Sequence, residues 1–427
     1  MKSEKFALAF TNYELCIINY ELLCIFALKM NQATIDYIRE HAEADVRRLA
    51  LQGTKDPEVD LIFALDQIAG RQKAKTKLPS WAAVDGIVYP PHLSMEQCSS
   101  EQTARYKALI AGKGTLIVDL TAGFGVDMAF ISQGFQQAVH VELQAPLCAI
   151  SSENYKLLGL DHIEVVCADG VDYLHQLNHA DLIFLDPARR DDHGARTYGI
   201  ADCTPNVLEL RDELLQKAGR VMLKLSPMLD WRKAVEDLGH VNEVHIVSVD
   251  NECKELLLIL SKEEKPLKLF CVNNNQVFET GSGDGSLTPS ASTDWVREPS
   301  PDPPTLCHTY LFEPNASIMK AGCFTLLEQR FNVSQLDRNS HLFVSDKDRC
   351  DFPGRRFIIE KTTSMNRREL KTALAGIDRA NITVRNFPMS VAELRKRLKL
   401  KDGGDLYLFA TTLSGGQHQL ILCRKIE

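Results

Sequence analysis

The stretch Leu116-Ile-Val-Asp-Leu-Thr-Ala-Gly-Phe-Gly-Val-Asp127 decides how this chain folds. An apolar run delivers Asp119 into a tight turn that holds Gly123 and Gly125, and a helical pattern follows at once. Glycine at those two places lets the backbone approach a ligand with no Cβ in the way. The turn also opens onto a helix N-terminus, whose free N–H groups favour an anionic group such as a carboxylate. Outward from this stretch, apolar runs predict strands at Thr115–Leu120, Ala138–Glu142, Ile163–Cys167, Leu182–Asp186, Arg220–Leu225, Glu243–Val249 and Glu255–Leu260. Helical spacing predicts helices at Asp127–Gln133, Ala145–Leu158, Gly170–Leu177, Asn206–Gln216 and Asp230–Leu238. Such alternation predicts parallel strands with helices on both faces, a doubly wound α/β sheet. Little but Asp250-Asn-Glu252 lies between the last two strands, which predicts a closing hairpin.

A dinucleotide fingerprint would place a third glycine where Met128 stands. The acid ahead of the turn, in D-x-x-x-G-x-G spacing, instead suits the amino group of a methionine moiety. This favours S-adenosylmethionine over NAD. Three more acids follow: Glu142 at the end of the second strand, Asp169 just after the third and Asp186 at the end of the fourth. Ligands of such sheets bind outside the carboxyl ends of the strands. These segments, from about Ser94 to Leu260, resemble the class I S-adenosylmethionine-dependent methyltransferases, whose sheet is Rossmann-like. The resemblance implies that Asp119, Gly123 and Gly125 hold the methionine end, Glu142 the ribose and Asp169 the adenine. Thr121, Ala122, Asp127 and Asp186 complete the expected cofactor contacts, with no metal.

Leu185-Asp-Pro-Ala-Arg-Arg190 closes the fourth strand. Many methyltransferases that act on exocyclic amines carry [DN]-P-P-[YFW] there. An acid or amide beside a Pro-fixed carbonyl accepts from the target NH2 and orients it, so that transfer needs mainly alignment. Asp186, Pro187 and Arg189 are therefore the expected catalytic positions. Ala188 and Arg189 depart from the pattern, and no aromatic stands where a base would stack. Arg189 and Arg190 are expected to hold a phosphate or stack on a base, or else to pair with Asp191 and Asp192. Tyr198 is a further stacking candidate. Methylation at a pyrimidine C5 needs a thiolate, and Lys224-Leu-Ser-Pro-Met228 offers Ser226 in its place. Cys203 reads as structural. Lys224 either contacts substrate or pairs with an acid. Ahead of the first strand, Ser99, Ser100, Glu101 and Thr103 either cover the cofactor or cap a helix over Gln102–Ala111.

The 427 residues exceed what one core usually holds. The expected division is 1–29, a leader that precedes a translation start at Met30; 30–93, a helical segment; 94–265, the cofactor-binding domain; 266–354, a small α+β unit with a loop over 280–305; and 355–427. Within the helical segment the pattern runs from Ala33 to Arg71 with a loop at Gly53–Pro57, and Lys73–Lys77 reads as a solvated basic run. Further on, strands are expected at Tyr310–Phe312, Leu342–Val344, Phe357–Glu360, Ile382–Val384, Leu406–Thr412 and Gln419–Cys423. Helices are expected at Ala316–Arg330, Asn366–Ala375 and Val391–Leu398. The twelve cysteines show no metal spacing and fit free thiols in a reducing cytoplasm. No run of about 20 apolar residues could span a membrane. Net charge is −8, yet residues 306–427 carry 20 Lys+Arg against 13 Asp+Glu, or +7.

Asn381-Ile-Thr-Val-Arg-Asn386 and Phe387 to Gly404, with Arg395, Lys396, Arg397 and Lys399 on one short helix, resemble the THUMP-like domain at the end of some bacterial class I methyltransferases. THUMP domains bind RNA, so the resemblance implies a tRNA or rRNA partner reached through Arg395 and Arg397, alongside Arg189, Arg190 and Lys224. The expected activity is methylation of a nucleobase in structured RNA. The alternatives are a methyltransferase of small molecules or proteins, and an RNA-binding protein with a vestigial pocket.

Overall fold

The computed structural model describes residues 31–189, 199–281 and 309–426. The expected leader, Arg190, Tyr198 and nearly all of the loop 280–305 lie outside the described residues. The chain divides into two compact units. One holds residues 1–243 and 256–265, the other 244–255 and 266–427.

The first unit opens with helices α1 (Gln32–Glu40), α2 (Val46–Gln52) and α3 (Leu61–Lys77). Asp45 and Asp60 cap α2 and α3 by accepting from Arg48 N and Phe63 N. The loop expected at Gly53–Pro57 separates α2 from α3, and the extended backbone of Asp45 marks a further break, between α1 and α2. The basic run 73–77 ends α3, with Lys73 and Lys75 exposed as expected. Its cations lie at the helix C-terminus, where they complement the macrodipole. Lys77 is half-buried, and its ammonium donates to the carbonyls of Met95 and Glu96 at 3.0 and 2.6 Å. After α4 (Pro79–Ala82) and α5 (His92–Gln97), α6 (Glu101–Ala111) is capped by Ser100, which accepts from Thr103 N. Phe63, Ala74, Leu78 and Trp81 share one buried cluster with Ile117, Met128, Leu182 and Met222, so these helices and the sheet have a common core.

The strands then come as the alternation predicts: β1 (Gly114–Asp119), β2 (Phe135–Glu142), β3 (Ile163–Cys167) and β4 (Ala180–Leu185). The short β5 (Ala188–Arg189) and β6 (Cys203–Thr204) pair with each other, and β7 (Ala218–Leu225), β8 (Val241–Val249) and β9 (Glu252–Leu260) follow. Between them lie α7 (Val126–Ile131), α8 (Ala145–Leu157), α9 (Gly170–Gln176), α10 (Val207–Lys217) and α11 (Trp231–Leu238). Within the first unit the sheet runs β9-β7-β4-β1-β2-β3. All pairs are parallel except β7 with residues 256–260 of β9. The strand order reverses between β1 and β4, the place where such sheets open a crevice at their carboxyl ends.

The second unit contains the β8–β9 turn, where Asp250 and Asn251 have φ of 51° and 64°, as a tight hairpin requires. A second hairpin, β10 (Lys268–Asn273) with β11 (Gln276–Thr280), has no counterpart in the sequence reading. A separate seven-stranded sheet of the second unit runs β13-β14-β12-β15-β18-β17-β16. The strands are β12 (Tyr310–Pro314), β13 (Ser334–Gln335), β14 (Phe343–Ser345), β15 (Gly354–Thr363), β16 (Asn381–Arg385), β17 (Leu406–Thr412) and β18 (His418–Lys425). The expected helix 316–330 is two, α12 (Ala316–Ala321) and α13 (Phe324–Phe331), because Gly322 turns left-handed at φ 71° and ends the first. Leu370 and Leu374 near α14 (Arg367–Ala373) and Leu394 and Leu398 of α15 (Val391–Leu398) join one cluster with Leu408 and Leu420.

His140 is fully buried on β2, level with Asp119 of β1. Its Nδ1 lies 2.8 Å from the Tyr155 hydroxyl, which donates to the carbonyl of Gly125 at 3.1 Å. Nδ1 therefore carries the proton in that contact. Burial pushes its pKa from 6.5 down to about 3. The unfolded state thus binds the extra proton between these values, and stability falls as pH falls from about 6.5 toward 3. We expect His140→Gln to remove on the order of 2 kcal/mol of the wild-type loss between pH 7.5 and pH 5. Urea unfolding at the two pH values measures it, and parallel pH profiles for both proteins would refute the buried neutral imidazole.

Candidate active site

The crevice at the carboxyl ends of β1 to β4 is a cavity of about 570 Å³, within the range of small-molecule sites. Its floor is the turn after β1. Gly123 and Gly125 sit at φ 57° and 82°, a region that side chains disfavour. A Cβ on Gly125 would stand 2.1 Å from the Tyr155 hydroxyl, so packing demands glycine there as well. At Gly123 a Cβ would meet nothing within 4 Å of the chain, and the residue lines the cavity. Thr121 and Ala122 line it too.

Six acids line this cavity, Glu209 of α10 among them. Asp119 is 1 % exposed, and its Oδ1 accepts from Thr121 N at 2.9 Å. Among the described residues no cation pairs with it. Burial, then the carboxylates of Asp127, Asp186 and Glu142, push its carboxyl well above the usual range, against the pull of the Thr121 N–H. Glu142 accepts from Gly123 N at 2.9 Å and from Gln144 N at 2.7 Å, so it clamps the glycine turn to the end of β2. Asp169 caps α9 through Oδ1, which accepts from Val171 N and Asp172 N. Asp186 stands one residue beyond β4. Its N–H donates to Thr121 Oγ1 at 2.7 Å, which ties the β4 end to the β1 turn.

Asp127, in the first turn of α7, is held by Ser99 Oγ, which donates to Oδ2 at 2.7 Å. Lys107 Nζ lies 3.1 Å from its Oδ1. Burial works to raise the Asp127 carboxyl, but Lys107 and Lys224 outweigh it and hold the group below its usual range. Lys224, on β7, forms an ion pair with Asp186 Oδ2 and lies 3.9 Å from Asp127 Oδ2.

The structure brings Asp119, Thr121, Ala122, Gly123, Gly125, Asp127, Glu142, Asp169, Asp186 and Lys224 around one cavity. Pro187 is buried beside it. Arg189 lies on β5, opposite Cys203 of β6, and Cys203 is buried. Of the segment ahead of β1, Ser99 lines the cavity, while Ser100 and Glu101 serve the fold. Glu101 accepts from Ser80 N and pairs with Arg105. In the second unit Arg395 is half-buried, donating to the Ala380 carbonyl at 3.2 Å and to Asp402 at 2.6 Å. Arg397 is exposed, with Lys396 and Lys399.

Lys107 and Ser99 enter the site with no role in the sequence reading beyond a lid for Ser99. The available signal was spacing: Thr103, Ala104, Lys107 and Ala111 share the inward face of α6, so a cation stands in an otherwise buried stripe. Asn206, which caps α10 behind Pro205, is another lining residue that went unnoticed. Among the described residues no group of three or more His, Cys, Asp or Glu is arranged to hold a metal. No described helix is long and apolar enough to cross a membrane.

Two family models match the second unit: a ferredoxin-like domain at residues 310–353 and a THUMP domain-like family at 354–425. No curated protein matches the sequence. A crystal structure of a Porphyromonas gingivalis W83 protein assigned as a methyltransferase superposes with a TM-score of 0.79 at 30% identity. It covers 98% of this chain and 100% of its own. An rRNA methylase of Streptococcus thermophilus and TrmK of M. capricolum, solved with S-adenosyl-homocysteine, match only 38% of this chain, at 16% and 13% identity. They span 95% and 69% of those chains at TM-scores of 0.29 and 0.30, too low to bear on function. Full-length similarity to the Porphyromonas protein, the strand order and the C-terminal match agree: this chain belongs to the class I S-adenosylmethionine-dependent methyltransferases that end in a THUMP-like domain.

Proposed function

We propose that the cavity binds S-adenosylmethionine and that the enzyme methylates a nucleobase of structured RNA, tRNA or rRNA, in the cytoplasm. The observation that carries the cofactor reading is Asp119. A carboxylate buried to 1 % exposure, ringed by three other acids and with no described cation beside it, is incomplete without a positive ligand group. The acids suit the polar groups of the cofactor. Asp119 suits an ammonium, while the N–H groups of Thr121, Ala122, Gly123 and Gly125 already donate within the chain and hold the turn's shape. Glu142 spends one bond per oxygen on the backbone, which leaves acceptor sites for ribose hydroxyls. Asp169 stands at the neighbouring strand end for the adenine amine.

When bound, the cofactor supplies a methyl group on a sulfonium. The chain's part is placement. Thr121 fixes the Asp186 backbone against the cofactor turn, so the acceptor-facing carboxylate and the donor site are set by one hydrogen bond. Asp186, which lines the cavity, would orient an acceptor N–H together with the carbonyl of the adjoining Pro187. Ser226 at the end of β7 offers no thiolate, which leaves an amine or other direct acceptor.

RNA is favoured by the charge of the tail. Residues 354–426 carry 15 Lys+Arg against 6 Asp+Glu, or +9, and a polyanion is the partner such a surface suits. Arg367, Arg368 and Lys371 at α14 and Lys396, Arg397 and Lys399 at α15 are exposed. Arg395 serves the fold instead. The nine described cysteines are free, in keeping with a reducing compartment.

Asp119→Asn preserves the acceptor for Thr121 N and removes the buried charge. We expect it to raise the melting temperature of the ligand-free enzyme by roughly 2–4 °C. It should also weaken S-adenosylmethionine by about 10- to 100-fold, the worth of a charge-assisted hydrogen bond. Calorimetry and a thermal melt test both. Unchanged affinity would remove Asp119 from the site. Reversing Lys396, Arg397 and Lys399 to Glu should lower RNA affinity and flatten its salt dependence by up to about three charges. Modified nucleosides in tRNA and rRNA from cells with and without the gene identify the product, and identical profiles would direct the search to a non-RNA acceptor.

A further inference from the structure

Lys107 is the least expected group in the first unit: a lysine with no exposed surface, on α6, outside every motif of the sequence. Burying an ammonium is costly unless it is paired. Its Nζ stands 3.1 Å from Asp127 Oδ1 and donates to Ser99 Oγ at 3.1 Å, and the Ser99 hydroxyl donates in turn to Asp127 Oδ2 at 2.7 Å. Asp127 in turn lies 3.9 Å from Lys224, which is in close contact with Asp186. The charges alternate along a line, Lys107, Asp127, Lys224, Asp186, from the buried end to the cavity. The last three line the cavity and Lys107 does not.

Lys224 is thus shared unequally by two carboxylates. Asp186 holds it closely. Asp127 stands farther off because one oxygen faces Lys107 and the other takes the Ser99 hydroxyl. Were Asp127 free of these partners, it would compete for Lys224 on equal terms, and Asp186 would lose its counter-ion. The geometry points to Lys107 as a positioning residue. With Ser99 it occupies Asp127 and thereby leaves Lys224 on Asp186, as a displaceable cation that guards the acceptor-facing carboxylate. An incoming acceptor N–H then has to replace the Lys224 ammonium on Asp186, and Asp127, already within 4 Å, stands ready to receive it. The guard keeps Asp186 neutralised between turnovers and favours acceptors that donate a hydrogen bond. The role in acceptor selection rests on the methyltransferase reading of the cavity; the charge arrangement itself does not.

The test reads Lys224 directly on the full chain without cofactor. Competitive labelling of lysines by acetic anhydride, followed by peptide mass spectrometry, reports how readily each ammonium gives up its proton. In Lys107→Met one cation is gone and Asp127 draws Lys224 more strongly. Labelling of Lys224 at fixed pH should fall on the order of tenfold. Ser99→Ala, a milder change that spares the buried charges, should lower it in the same direction by about threefold. Double substitution Lys107→Met with Asp127→Asn should return Lys224 to near wild-type labelling. A purely structural Lys107 would lower the melting temperature and leave Lys224 labelling unchanged, and that outcome overturns the proposal. If Lys107→Met does not fold, unchanged labelling in Ser99→Ala overturns it alone. Calorimetry of the wild type with S-adenosylmethionine, run in parallel, separates this result from the cofactor reading: no binding there would sink the cofactor reading while the labelling still decides the role of Lys107.

Discussion

The ligand end of the first unit depends on one constraint, the burial of Asp119. β1 carries it between β2 and β4, level with the buried His140 and Phe184. One backbone N–H, from Thr121, reaches its carboxylate. An isolated charge in such a place shifts its pKa or acquires a partner. Here the neighbouring carboxylates make the first option more pronounced, and the cavity makes the second available. A stability cost in the ligand-free state is therefore built into the site, the usual signature of a group kept for binding.

The turn that follows is held from both sides by the same strand. Glu142, at the end of β2, takes the N–H of Gly123. Two residues earlier, His140 steadies Tyr155, whose hydroxyl takes the carbonyl of Gly125. Left-handed glycine backbone is floppy in the unfolded chain and costs entropy to fix. Two side-chain bonds from a rigid strand system offset that cost and leave the turn pre-organised. This also explains why the site tolerates a neutral, buried imidazole: a charged one would add a cation beneath Gly125 and compete with any positive ligand group above Asp119.

Much of this was legible in the sequence, for a definite reason. Strand ends in a doubly wound sheet are marked by apolar runs that stop at an acid, and Asp119, Glu142, Asp169 and Asp186 all sit at such stops. What escaped is what one-dimensional pattern does not encode. Lys107 looks like any surface lysine until the helix face it shares with Ala104 and Ala111 is known to point inward. Arg395 and Arg397 look alike on α15, yet Asp402 and the Ala380 carbonyl claim the first and not the second. The β10–β11 hairpin hides because its two apolar runs are short, and the left-handed φ of 53° at Asn274 that turns the chain between them is not marked by a glycine. Gly322 breaks a helix whose apolar spacing runs on past it.

The charges of the two units pose a problem that the proposed chemistry resolves. A cavity lined by six acids and one lysine is unfavourable for a nucleic acid, while the +9 of residues 354–426 suits one. Under the proposed function, the tail would supply the binding energy for a polyanion, with the steep salt dependence of counterion release. The acids remain free to serve a cationic cofactor and a single neutral base. Energy gained remotely can offset the work of bringing that base against like-charged surroundings, and it raises turnover only if it is realised at the transition state. An acceptor that must also displace Lys224 from Asp186 meets this condition, since the exchange happens at the reacting end and not at the tail. A small-molecule substrate would gain nothing from the tail's charge, and the asymmetry would have no use. The sign of the tail, more than any residue of the cavity, is what makes RNA the better reading.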